Sequence, residues 1–367
     1  MIFTEGNWNT VVAKAKAEKK YIMVDAYTDW CGPCKQMAKN IFPLPQVGDF
    51  YNKNFINYKL NMEKGEGVDF ARNFQVGVYP SYLFFDSNGT LVHRTVGYKQ
   101  GPQFIQDGAA ALDTTKQLVT NIKKYQFGQR DSETLYNLAL GLANAGARDE
   151  SIENAYLFSL SPAQLITEKN YKFLVQTNGG YRSKTFRTIL ENRKAFQQMM
   201  GGSEVDQFLG ENLFRAVQYA GGNRMTSLKD SIVKDIEAYF DSPVKDQYLL
   251  YSTMLMLGFE ADRGPYYKVM TQYLNSYGQS DAKTLQAYAG EIIQSTSEDD
   301  RQQGVKWAQQ AVKLEATVAA YEVLATVLLK TGDKVAARKA AESGLALATE
   351  KGADETVFRE VLRQVQP

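Results

Sequence analysis

Apolar and polar positions repeat with two different periods along this chain, and the change from one to the other divides it. Up to about residue 113 both periods occur. Residues 7–18 carry apolar positions at helical spacing, with Asn7 or Asn9 placed to cap the first turn. Residues 21–26 form a short β-favouring run of the kind a buried strand shows. A helix is expected through Met37 and Ala38. The segment Phe42-Pro43-Leu44-Pro45 ends it, because proline removes a donor and restricts its predecessor. A short helix near 47–51, a strand over 55–60 and a helix over 68–74 follow. Two β runs, 81–85 and 90–96, flank Asp86-Ser87-Asn88-Gly89, and an Asn-Gly turn between such runs predicts a hairpin. A last helix covers about 101–112. Strand, helix, strand in succession requires a right-handed crossover and parallel pairing. Residues 1–113 are therefore expected to form an α/β domain, a central mixed sheet flanked by helices.

After about Thr114 strand-like alternation largely disappears. Helical segments, many of about 12 to 16 residues, follow one another across turns such as 146–149, Gly201-Gly202, Gly221-Gly222 and Thr331-Gly332-Asp333, and pair naturally as hairpins. A helix-turn-helix unit over 321–348 repeats one over 285–314, with Ala308 and Ala340 in matching places. That is close to the period of about 34 residues of tetratricopeptide repeats. Residues 114–367 thus resemble a degenerate tetratricopeptide-like helical-hairpin array, with an irregular helical bundle as the alternative. Its many tyrosines read as packing between helices, and it holds no catalytic constellation. Such arrays make concave surfaces that suit protein partners.

Charge adds mainly exclusions. Lysine plus arginine number 42 and aspartate plus glutamate 41, a net charge of +1. Nothing pulls the chain toward nucleic acid or an anionic surface. No stretch is long and apolar enough to span a bilayer. The only histidine is His93, read as a surface or packing residue, so a two-histidine metal site is excluded. No Walker loop occurs, and Gly65-Glu66-Gly67 lacks the rest of a dinucleotide fingerprint. No cofactor is expected.

Both cysteines lie in Cys31-Gly32-Pro33-Cys34. A zinc site uses the same spacing but needs four ligands, and only Cys31, Cys34 and His93 are on hand. The motif reads better as a redox pair. A thiolate attacks disulfides, and a cysteine at a helix N-terminus faces unpaired N–H groups that lower its pKa. Cys31 would be that nucleophile. Cys34, one turn inside, would attack the resulting mixed disulfide. Pro33 gives up a donor where the first turn needs none.

The match around this motif is longer than the motif. The run from Met23 to Lys35, Lys59-Leu60-Asn61, the segment from Phe74 to Ser81 and Gly97 together resemble the thioredoxin family over about residues 3–113. The resemblance implies a buried acid at Asp25, with Lys59 on the neighbouring strand tuning it. It implies Trp30 and Tyr27 as a rim beside Cys31, and Gly32, Pro33, Tyr79 and Gly97 along a substrate groove. It also implies a cis bond before Pro80, whose backbone would pair with an extended substrate. A desolvated Asp25 would have a raised pKa suited to relaying the proton of Cys34; the plainer alternative is a strand-end acid facing water. Lys39 stands where the family usually has a kinking proline, and Ser81 where threonine is common. The run from Phe42 to Val47 instead resembles the branch with the DsbD C-terminal domain and related envelope proteins.

These features predict a thiol-disulfide oxidoreductase, with the helical region recruiting the partner. The CGPC motif leans to the reducing members; an isomerase or oxidase, or a helical scaffold with an incidental thioredoxin domain, are the alternatives. The expected partners are a disulfide-containing protein and an upstream electron-donor thiol protein. The chain opens Met1-Ile2-Phe3 without an apolar signal core, which read literally gives the cytoplasm. The envelope-like pattern and the lack of a spare thiol favour instead a periplasmic home, with the signal peptide outside this sequence.

Overall fold

A computed structural model describes residues 1–366, and the chain divides into two compact units, Met1–Asp206 and Gln207–Pro367. The first unit opens with α1 (Trp8–Glu18), β1 (Tyr21–Tyr27), α2 (Gly32–Gln36), α3 (Pro45–Asn54), β2 (Phe55–Asn61), α4 (Glu66–Asn73), β3 (Ser81–Phe85), β4 (Leu91–Val96) and α5 (Gly101–Leu112). The strands form one mixed sheet in the order β2-β1-β3-β4. β1 runs parallel to β2, which sets Asp25 opposite Lys59, and antiparallel to β3, which sets Asp25 opposite Tyr82. β4 is antiparallel to β3, with Thr95 opposite Tyr82. This is the expected α/β thioredoxin-like architecture.

β1 reads as a nearly unbroken apolar run because both faces of a central strand are covered. Ile22, Val24 and Ala26 pack with Val11 and Ala15 of α1 and Phe70 of α4. Met23 points the other way, into a cluster with Met37, Tyr51 of α3 and Phe104 of α5. At the head of α1, Asn7 is the cap, its side chain accepting the Thr10 N–H at 3.0 Å. α3 is longer than expected, since Pro45 suits a first turn. Between α2 and the proline break the chain does not stay α-helical. Residues Met37–Ile41 form a π turn, in which the Phe42 N–H donates to the Met37 carbonyl five residues back at 3.0 Å.

The helices of the remaining chain are α6 (Leu118–Gln126), α7 (Ser132–Asn144), α8 (Glu150–Phe158), α9 (Pro162–Leu165), α10 (Glu168–Gln176), α11 (Lys184–Glu191), α12 (Arg193–Met200) and α13 (Gly202–Gly222). Then come α14 (Thr226–Tyr239), α15 (Val244–Leu257), α16 (Gly264–Tyr273), α17 (Ala282–Ile292), α18 (Glu298–Leu314), α19 (Val318–Lys330), α20 (Lys334–Lys351) and α21 (Thr356–Gln364). The region is all-helical, as expected, but α8 to α12 are shorter than the expected segments. Side-chain caps at Asp149, Ser161, Thr167 and Ser183 start four of them. Gly221-Gly222 ends α13 instead of forming a free turn. In the second unit α17 to α21 pack around small residues. Ala308 and Ala340 are buried, and a Cβ on Gly344 would lie 2.2 Å from the Phe358 ring.

The last strand ends at Val96, as expected, and the division between compact units comes much later, after Asp206. α6 and α7 pack on β4 and cover the sheet edge. His93 on β4 is buried, with its Nδ1 accepting the Leu118 N–H at 3.1 Å. An edge strand needs such a cover or invites pairing with another chain.

Candidate active site

β1 ends at Tyr27, and the loop after it delivers Cys31 to the start of α2. Cys31 is the N-cap residue, and its Sγ accepts the Cys34 N–H at 3.1 Å. Cys31 and Cys34 are joined by a disulfide. Selective exposure of Cys31 does not distinguish the pair in this oxidised form, because Cys31 is 2% and Cys34 6% exposed. Position does: only Cys31 sits at the helix start, where unpaired N–H groups stabilise a thiolate. Gly32 and Pro33 form the exposed first turn between them.

Asp25 lies on the same strand, two residues before its end, and is buried. Its Oδ1 has no hydrogen-bond partner. Burial pushes the carboxyl up to about 7, against the pull of the Lys59 ammonium. Lys59 makes no ion pair with it among the described residues; its Nζ stands 4.7 Å from the centre of the Tyr27 ring. A carboxyl poised between its two forms at neutral pH suits proton transfer.

The Tyr79-Pro80 bond is cis. The Pro80 carbonyl accepts the Gly97 N–H at 2.8 Å, tying β3's entrance to the end of β4. Gly97 has φ +87°, and a Cβ there would meet nothing within 4 Å. Backbone conformation, not space, therefore requires glycine. Trp30 is 67% exposed. Its indole N–H donates to Glu63 Oε1 at 2.9 Å, and Tyr79 meets it edge-on at 5.9 Å. Beside it, Lys64 pairs with Asp29 at 2.7 Å and holds the Asp29 carboxyl below its usual value.

The structure thus joins Cys31 to Cys34, sets Trp30, which precedes Cys31, against Tyr79, ties Pro80 to Gly97, and places Asp25 opposite Lys59 on β1 and β2. Several neighbours escaped the sequence reading. Glu63 fixes Trp30. Met37 Sδ accepts the Lys99 N–H at 3.4 Å. Tyr82, opposite Asp25, has a buried and unpartnered hydroxyl. Asp107 on α5 is a second buried acid, raised to about 6 by desolvation while Lys99 and Thr95 pull it down. Its signal was its place between Phe104 and Ala111 on the buried face of a helix. His93, read as a surface or packing residue, is a packing one, against Phe84; burial lowers its pKa to about 4.

A mixed four-stranded sheet with a CXXC disulfide at a helix start and a cis-proline just before β3 defines the thioredoxin-like class of oxidoreductase domain. The chain belongs to the thioredoxin-like family. The thioredoxin-like domain description matches residues 8–111. A thioredoxin-like protein of Synechocystis is 34% identical over 87 residues, which is 24% of this chain and 77% of that protein. The thiol:disulfide interchange protein DsbD of Pseudoalteromonas atlantica is 34% identical over 96 residues, 25% of this chain. The chain spans only 16% of that DsbD's length. Among solved structures, a candidate disulphide-isomerase from Bacteroides thetaiotaomicron is 36% identical, covering 31% of this chain and 93% of that one at a TM-score of 0.29. No helix among the described residues is long and apolar enough to cross a membrane.

Proposed function

We propose that the chain reduces disulfides in a partner protein, with the helical region recruiting that partner. The observation that carries this reading is the Cys31–Cys34 pair at a helix start together with a buried Asp25, its Oδ1 unpartnered, on the strand before it. The Cys31 thiolate attacks one sulfur of the substrate disulfide, forming a mixed disulfide and expelling the other sulfur as a thiolate. The Asp25 carboxylate takes the Cys34 proton. The Cys34 thiolate then attacks Cys31 Sγ, re-forming the intramolecular disulfide and releasing the second substrate thiolate. Two electrons pass from the dithiol to the substrate, and an upstream thiol protein restores them. The CGPC sequence, like that of reducing relatives, favours this direction over oxidation. Tetratricopeptide-like hairpins in the helical region and a periplasmic or envelope location complete the reading; the cytoplasm is the alternative.

The test is a Cys34→Ser trap in the full chain. Substrate should accumulate as a mixed disulfide at Cys31, released by reductant and identified by mass spectrometry. Equal capture by Cys31→Ser contradicts the assignment. A potential near about −270 mV supports the reducing direction, and one near about −120 mV supports an oxidase.

A further inference from the structure

Within the first unit, a concavity of about 760 Å³ lies between α5 and the helices α7 and α10. One end is formed by Tyr98 and Lys99, which directly follow Gly97 and its hydrogen bond to Pro80. That end therefore lies one residue along the chain from the Gly97–Pro80 hydrogen bond. From there the concavity follows α5 past Gln103, Gln106 and Ala110, opposite Asn137 and Asn144 of α7. A second concavity of about 650 Å³ shares Lys116, Tyr136 and Asn137 with the first and extends the groove to Gln164 and Asn170. The α5 stretch from Gly101 to Ala110 alone is roughly 15 Å long at about 1.5 Å per residue, room for four or five residues of extended chain at about 3.3 Å each.

The lining points to a particular chemistry. The lysines along the first concavity are already paired: Lys99 with Asp107 at 3.8 Å, Lys116 with Asp113 at 3.0 Å, Lys172 with Glu168 at 2.5 Å. Lys169, in the second, lies over the Tyr136 ring at 4.1 Å. In the first concavity an anion finds no lysine without a carboxylate partner. What remains is a row of carboxamides; in the first concavity the oxygens of Gln103 and Asn144 already accept the Gln100 N–H and Gln176 Nε2, at 3.2 and 2.7 Å, which leaves their NH2 groups to donate to the carbonyls of a peptide backbone. In the first concavity's lining, His93 Nε2 is buried without a hydrogen-bond partner, and such a group calls for one.

We propose that this groove binds an extended, uncharged segment of the partner protein, adjacent in sequence to the disulfide being reduced. The inference rests on the proposed reductase activity for its biological meaning, but the binding itself does not. Main-chain hydrogen bonds to the carboxamides hold the segment, so binding tolerates sequence changes that leave it neutral and extended.

The experiment uses the full chain and two synthetic disulfide peptides, one bare and one bearing an uncharged Ala/Ser/Thr tail of about ten residues. A fluorescein-labelled tail without any disulfide serves as the binding probe. The tail should lower KM about tenfold with kcat unchanged, through effective concentration. The labelled tail should bind by fluorescence polarisation. Ala110→Trp, which fills the groove away from Cys31, should abolish both effects while the bare peptide is reduced at the parental rate. If that variant misfolds by circular dichroism, the Gln106→Ala/Asn144→Ala chain serves in its place. Absence of tail binding to the parent, or binding that survives both variants, overturns the proposal. Tail binding without reduction of either peptide leaves the groove standing and sinks the reductase reading instead.

Discussion

The α/β region and the helical region treat buried polar groups in opposite ways. Before residue 113, Asp25, Tyr82, His93, Arg94 and Asp107 each bury an ionisable side chain with an atom that makes no hydrogen bond. After it, the buried unpartnered side chains among the described residues are amides, hydroxyls and one indole: Asn121, Asn154, Ser252, Thr271 and Trp307. The buried acid of the helical region, Glu153, is instead held by two hydrogen bonds from Arg148, at 2.7 and 2.5 Å. An ionisable group with an unpartnered atom is costly in a low-dielectric interior, and such groups cluster at functional sites. The contrast sets the unpartnered ionisable groups in the α/β region, together with the cysteine pair.

Breaking the helical side of this contrast should have the largest effect on stability. Arg148→Ala leaves Glu153 buried and unpaired, which should cost about 3–5 kcal/mol in urea unfolding. Disulfide reduction by the chain that remains folded should be unchanged. A loss of activity per folded molecule would show that α8 takes part in the site.

The sheet side predicts the opposite sign. Asp25 binds its proton up to about pH 7 when folded but only to about 3.9 when unfolded. Between those values the native state holds more protons, so stability falls as pH rises, by roughly 1.4 kcal/mol per unit for this group. Asp25→Asn should remove that slope and leave the protein more stable above pH 7. An unchanged slope means Asp25 is not desolvated. His93 acts in the other direction. Its folded pKa of about 4 lies below the unfolded value near 6.5, so it stabilises above that value and loses the contribution as pH falls. His93→Phe removes this and strips the Leu118 N–H of its acceptor, a loss of about 1–3 kcal/mol at neutral pH. A neutral result would mean that α6 does not depend on β4 for its anchoring.

Much of the sheet was legible in the sequence because local signals and global packing agree there. The apolar run of β1, the Asn-Gly turn and Pro80 each admit few alternatives, and the CGPC spacing fixed the cysteine geometry. Local pattern says nothing about what covers an edge, so α6 and α7 on β4 were not foreseen, and the first compact unit extends to Asp206. The π turn at Met37–Ile41 was hidden as well, since it ends just before the break at Pro43 and leaves too few later helical positions to show the shifted face. Glu63 and Asp107 were missed for a related reason. Each acts through a partner on another element or turn, Trp30 for Glu63 and Lys99 for Asp107, on which a single-residue pattern is silent. In the helices, repeated small residues such as Ala308 and Ala340 revealed close packing but not which helices meet.

The central claim is that Asp25 serves Cys34 as its proton acceptor. Its most direct test is the rate at which Cys34 resolves a preformed mixed disulfide at Cys31, followed across the pH range in a single turnover. For the parent chain the rate should rise with a midpoint near 7, where the Asp25 carboxyl ionises. In Asp25→Asn the rate should drop and that midpoint should vanish, while alkylation of the reduced Cys31 thiolate proceeds as before. A profile that keeps its midpoint and rate after the substitution contradicts the account.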